Sequence, residues 1–183
     1  LKAILLALLV TLLWSTSFII IKWGLKDIPP ITFAGLRYSI AFIILLPFLF
    51  TQKNKTILKS ISKKFWLKLI LLGLLFYALT QGTQFIGLSL LPAVTISLWL
   101  NFTPLVVAVT AIIFISEYPS KLQWAGVILF IAGIAIYFFP VSLSDNQTLG
   151  FIVMTIGVLA NASSSILGRS LNRDGTITPL IIT

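Results

Sequence analysis

LILLGLLFYALTQGTQFIGLSLLPAVTISLWLNFTPLVVAVTAIIFIS, residues 69–116, is a run of 48 residues without a charge, bounded by Lys68 and Glu117. As one helix it would be about 72 Å long, more than twice the roughly 30 Å hydrocarbon layer of a bilayer. It must therefore hold two spans. Pro92, after Leu90 and Leu91, marks the turn and suits the first turn of the next helix. The spans then fall at about 66–89 and 93–115.

The same rule divides the rest of the chain. Lys2 and Lys22 bracket a first span, Ala3 to Ile21. That is too long for the core of a cleaved signal peptide, and no small-residue cleavage site follows it. A second span runs from about Thr32 to Thr51 and contains Arg37 and Pro47. Lys121 and Asp145 bracket a fifth, and Asp145 and Arg169 a sixth. A seventh begins near Ile177. The first residue is Leu1 and the last ones are apolar, so both ends read as cut.

Composition agrees with a lipid solvent. The chain has 183 residues, 58% hydrophobic and 9% charged, against roughly 25% charged in soluble domains. The net charge of +9 does not point to nucleic acid, because the cations cluster between apolar runs. Lys2, Lys53, Lys55, Lys59, Lys63, Lys64, Lys68, Lys121, Arg169 and Arg173 all fall on one side of the alternating layout. Only Lys22 and Lys26 fall on the other. Loops rich in Lys and Arg stay inside, so the N-terminus is expected in the cytoplasm. Within Lys53 to Lys64, Ile57, Leu58 and Ile61 recur at helical spacing. That stretch is either a basic amphipathic helix on the anionic inner leaflet or a solvated loop.

Cysteine and histidine are both absent. Thiol nucleophiles, disulfides, histidine bases and histidine metal ligands are excluded with them. With no carboxylate pair inside a span, no catalytic constellation remains; no enzyme, metal or cofactor is expected. No Asp or Glu lies near mid-span, so these spans offer no proton-relay carboxylate.

The sixth span echoes the first at an offset of 147: Ser17 falls on Ser164, Ile19 on Ile166, Lys22 on Arg169 and Asp27 on Asp174. With a two-residue gap, Ile28 and Pro30 fall on Ile177 and Pro179. Five spans separate the copies, so the second enters from the opposite side. That is an inverted-topology repeat, a common secondary-transporter architecture.

Trp14-Ser15-Thr16-Ser17-Phe18, Lys22, Ile28-Pro29-Pro30 and Leu36-Arg37-Tyr38 together resemble the opening of an EamA-type domain of the drug/metabolite transporter superfamily. Asn101-Phe102-Thr103-Pro104-Leu105, Glu117, Gln123, Gly126 and Gly133 resemble its remainder. The resemblance implies an all-α polytopic bundle of ten helices in two inverted five-helix repeats, carrying amino acids, nucleobases, sugars or drugs. Residues 1–139 would form the first repeat, 140–148 an extracytoplasmic loop and 149–183 the start of a second. About six spans and the start of a seventh are then present. The expected partners are the bilayer, a small-molecule substrate, and the rest of the second repeat or a second subunit.

Polar side chains inside spans avoid lipid and face protein or water. In the third span Tyr77, Thr80, Gln81 and Gln84 share a face. In the fourth, Ser97 and Asn101 share one with Pro104, which leaves the carbonyl of Leu100 without its helical donor. Trp14 and Ser17 in the first span and Asn161 and Ser164 in the sixth complete a candidate cavity for a neutral, zwitterionic or aromatic-bearing molecule. The competing role is hydrogen bonding between helices, at roughly 0.6 kcal/mol each. Trp99 either stacks on substrate or faces lipid. Arg37, the one charge well inside a span, either snorkels to headgroups or attracts a carboxylate. Glu117 is a candidate gate through Lys121, or an ordinary surface partner of it. Lys22 and Lys68 are expected to snorkel. Gly126 and Gly133, seven apart, suggest close helix packing. The leading class is an alternating-access carrier; the alternative is a non-transporting scaffold or assembly subunit.

Overall fold

The computed structural model describes residues 2–115, 119–139, 144–172 and 177–182, and every regular element among them is helical. Helix α1 (Lys2–Gly24) leads through a short turn to α2 (Pro30–Leu49). A short helix, α3 (Gln52–Ser60), follows, so the basic stretch is helical and not a plain loop. The third span is continuous from Lys63 to Leu90, but its middle is wound differently. Helix α4 (Lys63–Gly73) passes into a π-helical segment (Leu74–Gln81), then into α5 (Gly82–Leu90). The fourth span is broken into α6 (Ala93–Leu100) and α7 (Thr103–Ile115). Then come α8 (Lys121–Phe138), α9 (Asp145–Asn172) and α10 (Pro179–Ile182). Among the described residues, six helical stretches are long and apolar enough to cross a membrane, as expected from the charge pattern.

Local chemistry sets several boundaries. Pro30 and Pro179 each open a helix, the position where a missing N–H is harmless. The Ser62 hydroxyl accepts from the Phe65 N–H at the start of α4. Ser120 and Gln123 form a reciprocal capping box that starts α8, satisfying two amide donors that the helix cannot. The break before Thr103 follows from Pro104. Without a proline N–H the ladder from Leu100 lapses, and the Asn101 and Phe102 amides turn back to Leu98 and Trp99.

The long helix α9 is the axis of the bundle. It packs along the π segment and α5 and also touches α4, α6 and α7. The core gathers Phe18 and Ile21 of α1, Ala34 of α2, Phe85 and Leu88 of α5, Leu91, Ile96 of α6 and Met154 of α9. Glycines permit the close approach of α5 and α9. A Cβ on Gly87 would lie 2.5 Å from Met154 Sδ, and one on Gly157 2.3 Å from Thr83 Oγ1. Gly126 and Gly133 play no such part: a Cβ on either would meet nothing within 4 Å among the described residues. Helix α8 instead joins the bundle through rings, Phe130 against Phe102 and Phe138 against Trp99 and Phe151. Trp99 is held by this cluster and donates to Thr155 Oγ1 at 3.3 Å. It ties the fourth span to the fifth and sixth.

Lys22 does not simply snorkel. Pro92 has no N–H, so the carbonyl of Leu88, four residues earlier, lacks its helical donor. The Lys22 ammonium donates to that carbonyl and, at 2.8 Å, to that of Leu91. A cation is also favoured at a helix C-terminus. Lys22→Met removes both donors, and a buried carbonyl left unpaired costs about 1–3 kcal/mol. The methionine variant should melt several degrees lower in detergent, with Lys22→Arg nearer to wild type. Equal melting temperatures for all three would remove this role.

Two long-range hydrogen bonds check the alternation of spans. Lys22 joins the end of the first span to the turn between the third and fourth. Thr178 donates to Asn54 Oδ1 at 3.0 Å, joining the end of the second span to the end of the sixth. Each bond links two ends that an up-and-down layout puts at the same level.

Candidate functional site

The π-helical segment places the polar face of the third span. A π turn closes hydrogen bonds over five residues and is wider than an α turn, and such segments recur at functional sites. The Thr80 hydroxyl reaches back five residues to the Leu75 carbonyl at 2.8 Å. Tyr77 meets Tyr38 of α2 with ring centroids 5.2 Å apart. Thr80 lies on the side of α9, near Gly157. Gln81 and Gln84 fall between these neighbours and are 7% and 3% exposed.

The two amides are the informative groups. Neither has a hydrogen-bond partner among the described residues, yet no polar atom there is sealed from solvent without one. Both amides, though buried, therefore keep some contact with open space. Unpaired amides in an apolar interior cost free energy, so they suit a hollow that holds water or a polar ligand. Separately, a cavity of about 610 Å³ opens between α2 and the π segment, walled by Tyr38, Ser39 and Tyr77 together with the apolar Ile31, Phe42 and Ile43; neither glutamine is among its walls. Tyr38 and Ser39 escaped the sequence reading as cavity groups. Their signal was the helical spacing Ala34-Tyr38-Phe42 beside Arg37.

The structure brings only part of the expected set together. Tyr77, Gln81 and Gln84 adjoin one another. Asn161 Nδ2 donates to Thr103 Oγ1 at 3.1 Å, a bond between the sixth and fourth spans. Ser164 is buried and donates to the Asn161 carbonyl at 2.8 Å. Ser17 donates to the Trp14 carbonyl at 2.6 Å. Trp14, Ser97 and Asn101 are exposed on the surface of the described bundle. Asn101 sits at the break between α6 and α7. Glu117 lies outside the described residues.

Arg37 lies seven residues into α2, which begins at Pro30 rather than Thr32. Its guanidinium turns inward. The Cζ atom lies 5.7 Å from the Tyr38 ring centre and 6.0 Å from that of Phe85, and Phe85 is wholly buried. Among the described residues no carboxylate pairs with it.

Six apolar spans, the third carrying a π-helical segment and the fourth broken before Thr103, define a multi-pass helical membrane protein. Comparison with known proteins agrees. The model of the EamA-like transporter family matches residues 1–139. An uncharacterized transporter of Archaeoglobus fulgidus is 29% identical over 93% of this chain and 58% of its own length. The uncharacterized transporter YvbV of Bacillus subtilis is 32% identical over 73% of this chain and 42% of its own. The uncharacterized inner membrane transporter YedA of Escherichia coli K12 is 28% identical over 87% and 51%. No solved structure gives a significant match. The chain belongs to the EamA-like transporter family. It spans about half the length of the curated relatives it matches.

Proposed function

We propose that this chain forms the first repeat, and the start of the second, of an alternating-access carrier that moves small metabolites such as amino acids across the cytoplasmic membrane. The observation that carries this reading is the pair of buried glutamines, Gln81 and Gln84, whose amides have no hydrogen-bond partner among the described residues. Family membership supplies the class, and the π-helical third span and the broken fourth span support the architecture. Discontinuous helices with free backbone and side-chain groups commonly mark carrier sites.

The inverted repeat is part of the proposal. Its support is the match of Pro30 with Pro179, each of which opens a helix, and of the first span with the sixth. Large parts of α1 and α8 and the outer face of α2 are bare in the described bundle. Those faces, with Trp14, Ser97 and Asn101 on or near them, are where the remaining spans of such a carrier would pack. The Lys and Arg distribution supports a cytoplasmic N-terminus.

The test is solute flux. The full-length protein is reconstituted in vesicles and offered labelled amino acids, nucleobases and sugars, with counterflow as the readout. Saturable flux of one class, with counterflow, is the expected result. Purified, folded protein that moves none of them would leave the scaffold role standing instead.

A further inference from the structure

Six lysines crowd the link between the second and third spans: Lys53, Lys55, Lys59, Lys63, Lys64 and Lys68. The chain has no Asp or Glu between Asp27 and Glu117, so no neighbour in sequence neutralises them. A loose loop would be enough to keep such charges on one side of the membrane. The link is instead folded and fastened. Helix α3 starts three residues after α2 ends and stops three residues before the third span opens. Both of its ends are therefore held near the membrane surface. A helix about 13 Å long, at 1.5 Å per residue, then runs along that surface rather than projecting from it.

The faces of α3 sort accordingly. Asn54 is 6% exposed. Its Nδ2 donates to the Phe48 carbonyl and to Thr51 Oγ1, each at 2.9 Å, and its Oδ1 accepts from Thr178. These bonds pin the first turn of α3 to the end of α2 and the entry of α10. Ile57 and Leu58, three and four residues on, are half-buried on the same face. Lys55 and Lys59, four apart, share another face and are exposed. Lys63, Lys64 and Lys68 are exposed on α4. Trp66 stands among them, 43% exposed, and tryptophan favours the headgroup level of a bilayer. Lys55 Nζ lies 5.9 Å from the Phe50 ring centre, a contact that neutralises no charge. An in-plane helix with apolar groups on one face and lysines beside them is the form that binds acidic lipid.

We infer that α3 and the start of α4 form a docking surface for anionic phospholipid headgroups, which it selects over zwitterionic ones. Headgroup phosphates lie against the ammonium groups of Lys55, Lys59, Lys63 and Lys64, and acyl chains run beside Trp66. The Lys and Arg distribution assigns this side to the cytoplasm, whose leaflet carries the acidic lipids. The inference goes beyond the carrier proposal and holds whatever solute is moved.

The test places the full-length protein in phosphatidylcholine bilayers and adds spin-labelled phosphatidylglycerol or phosphatidylcholine. The fraction of label immobilised at the protein is read at low and high salt. Phosphatidylglycerol should be preferred about threefold or more at low salt, and less at high salt because exposed charges are screened. Two double variants carry the same loss of charge. Lys55→Gln with Lys59→Gln should remove most of the preference. Lys2→Gln with Lys121→Gln, at the starts of α1 and α8, should leave most of it. Lys55→Arg with Lys59→Arg should keep it. If the glutamine pair on α3 fails to fold, the single changes Lys55→Gln and Lys59→Gln decide in its place. Equal immobilisation of the two lipids overturns the inference. Equal losses from the two glutamine pairs would assign the effect to the overall charge of that side, and also overturn it. So would full displacement of the label by soluble glycerol phosphate, which would make the ligand a free phosphate.

Discussion

Gln84→Leu in the full-length protein should cut transport roughly two- to tenfold and leave thermal stability unchanged or slightly raised. The reasoning turns on what the amide touches. A buried glutamine bonded to another helix would leave that partner orphaned when replaced, at about 1–3 kcal/mol. Gln84 has no such partner among the described residues, so leucine orphans nothing and fills a similar volume. What is lost, on the carrier proposal, is a hydrogen bond to the transported solute. One such bond contributes about 0.5–1.5 kcal/mol, and 1.4 kcal/mol is a factor of ten. Gln81→Leu should behave alike, and the double variant should be near background. Structural glutamines would reverse the pattern: melting temperature would fall and flux per folded molecule would hold. Measuring both quantities on one preparation separates the two cases.

Gly157→Ala should be the most destabilising small change in the bundle. The added methyl would sit 2.3 Å from Thr83 Oγ1 and 3.2 Å from Thr83 Cβ. Thr83 is β-branched and its hydroxyl is bonded to the Leu79 carbonyl at 2.7 Å, so it has little freedom to turn away. Either α5 and α9 separate or the rotamer strains, and overpacking of this kind costs about 1–3 kcal/mol. Gly87→Ala should cost less, because its nearest obstacle is the flexible end of Met154. The pairing is testable by a double-mutant cycle. Thr83→Ala removes the obstructing oxygen, so Gly157→Ala should be markedly milder in that background. Additive effects would show that the two residues do not meet.

These outcomes also show what the sequence made legible. The six spans followed from charge spacing alone, because lipid tolerates few charges and helix length is fixed by bilayer thickness. The break in the fourth span was readable from Pro104, and the start of α8 from the spacing of Ser120 and Gln123. The π segment was not readable. Nothing in Leu74–Gln81 is a proline or a glycine, and its wide turn is set by packing against α2 and α9 rather than by local propensity. Gln81 and Gln84 remain buried despite that distortion.

Two expectations met the structure differently. Gly126 and Gly133 meet nothing among the described residues, on a face of α8 that is left bare. The close approach belongs to Gly87, Gly150 and Gly157, and a Cβ on Gly150 would lie 2.7 Å from Leu91 Cγ. Lys22 was assigned to lipid headgroups because a cation near a span end usually goes there. Its partner is a carbonyl 66 residues away that Pro92 leaves without a donor, a relation that only the folded hairpin reveals.

The layout of spans across the bilayer carries everything else, and it is directly measurable. The chain has no cysteine, so single cysteines at Lys55 and Phe139, both exposed, report without background. In intact cells a membrane-impermeant maleimide should label Phe139→Cys from outside. Lys55→Cys should react only after the membrane is opened, since three spans separate the two positions. Labelling of both sites from the same side would contradict the alternating layout, and with it the shared interior in which Gln81, Gln84 and Arg37 are placed.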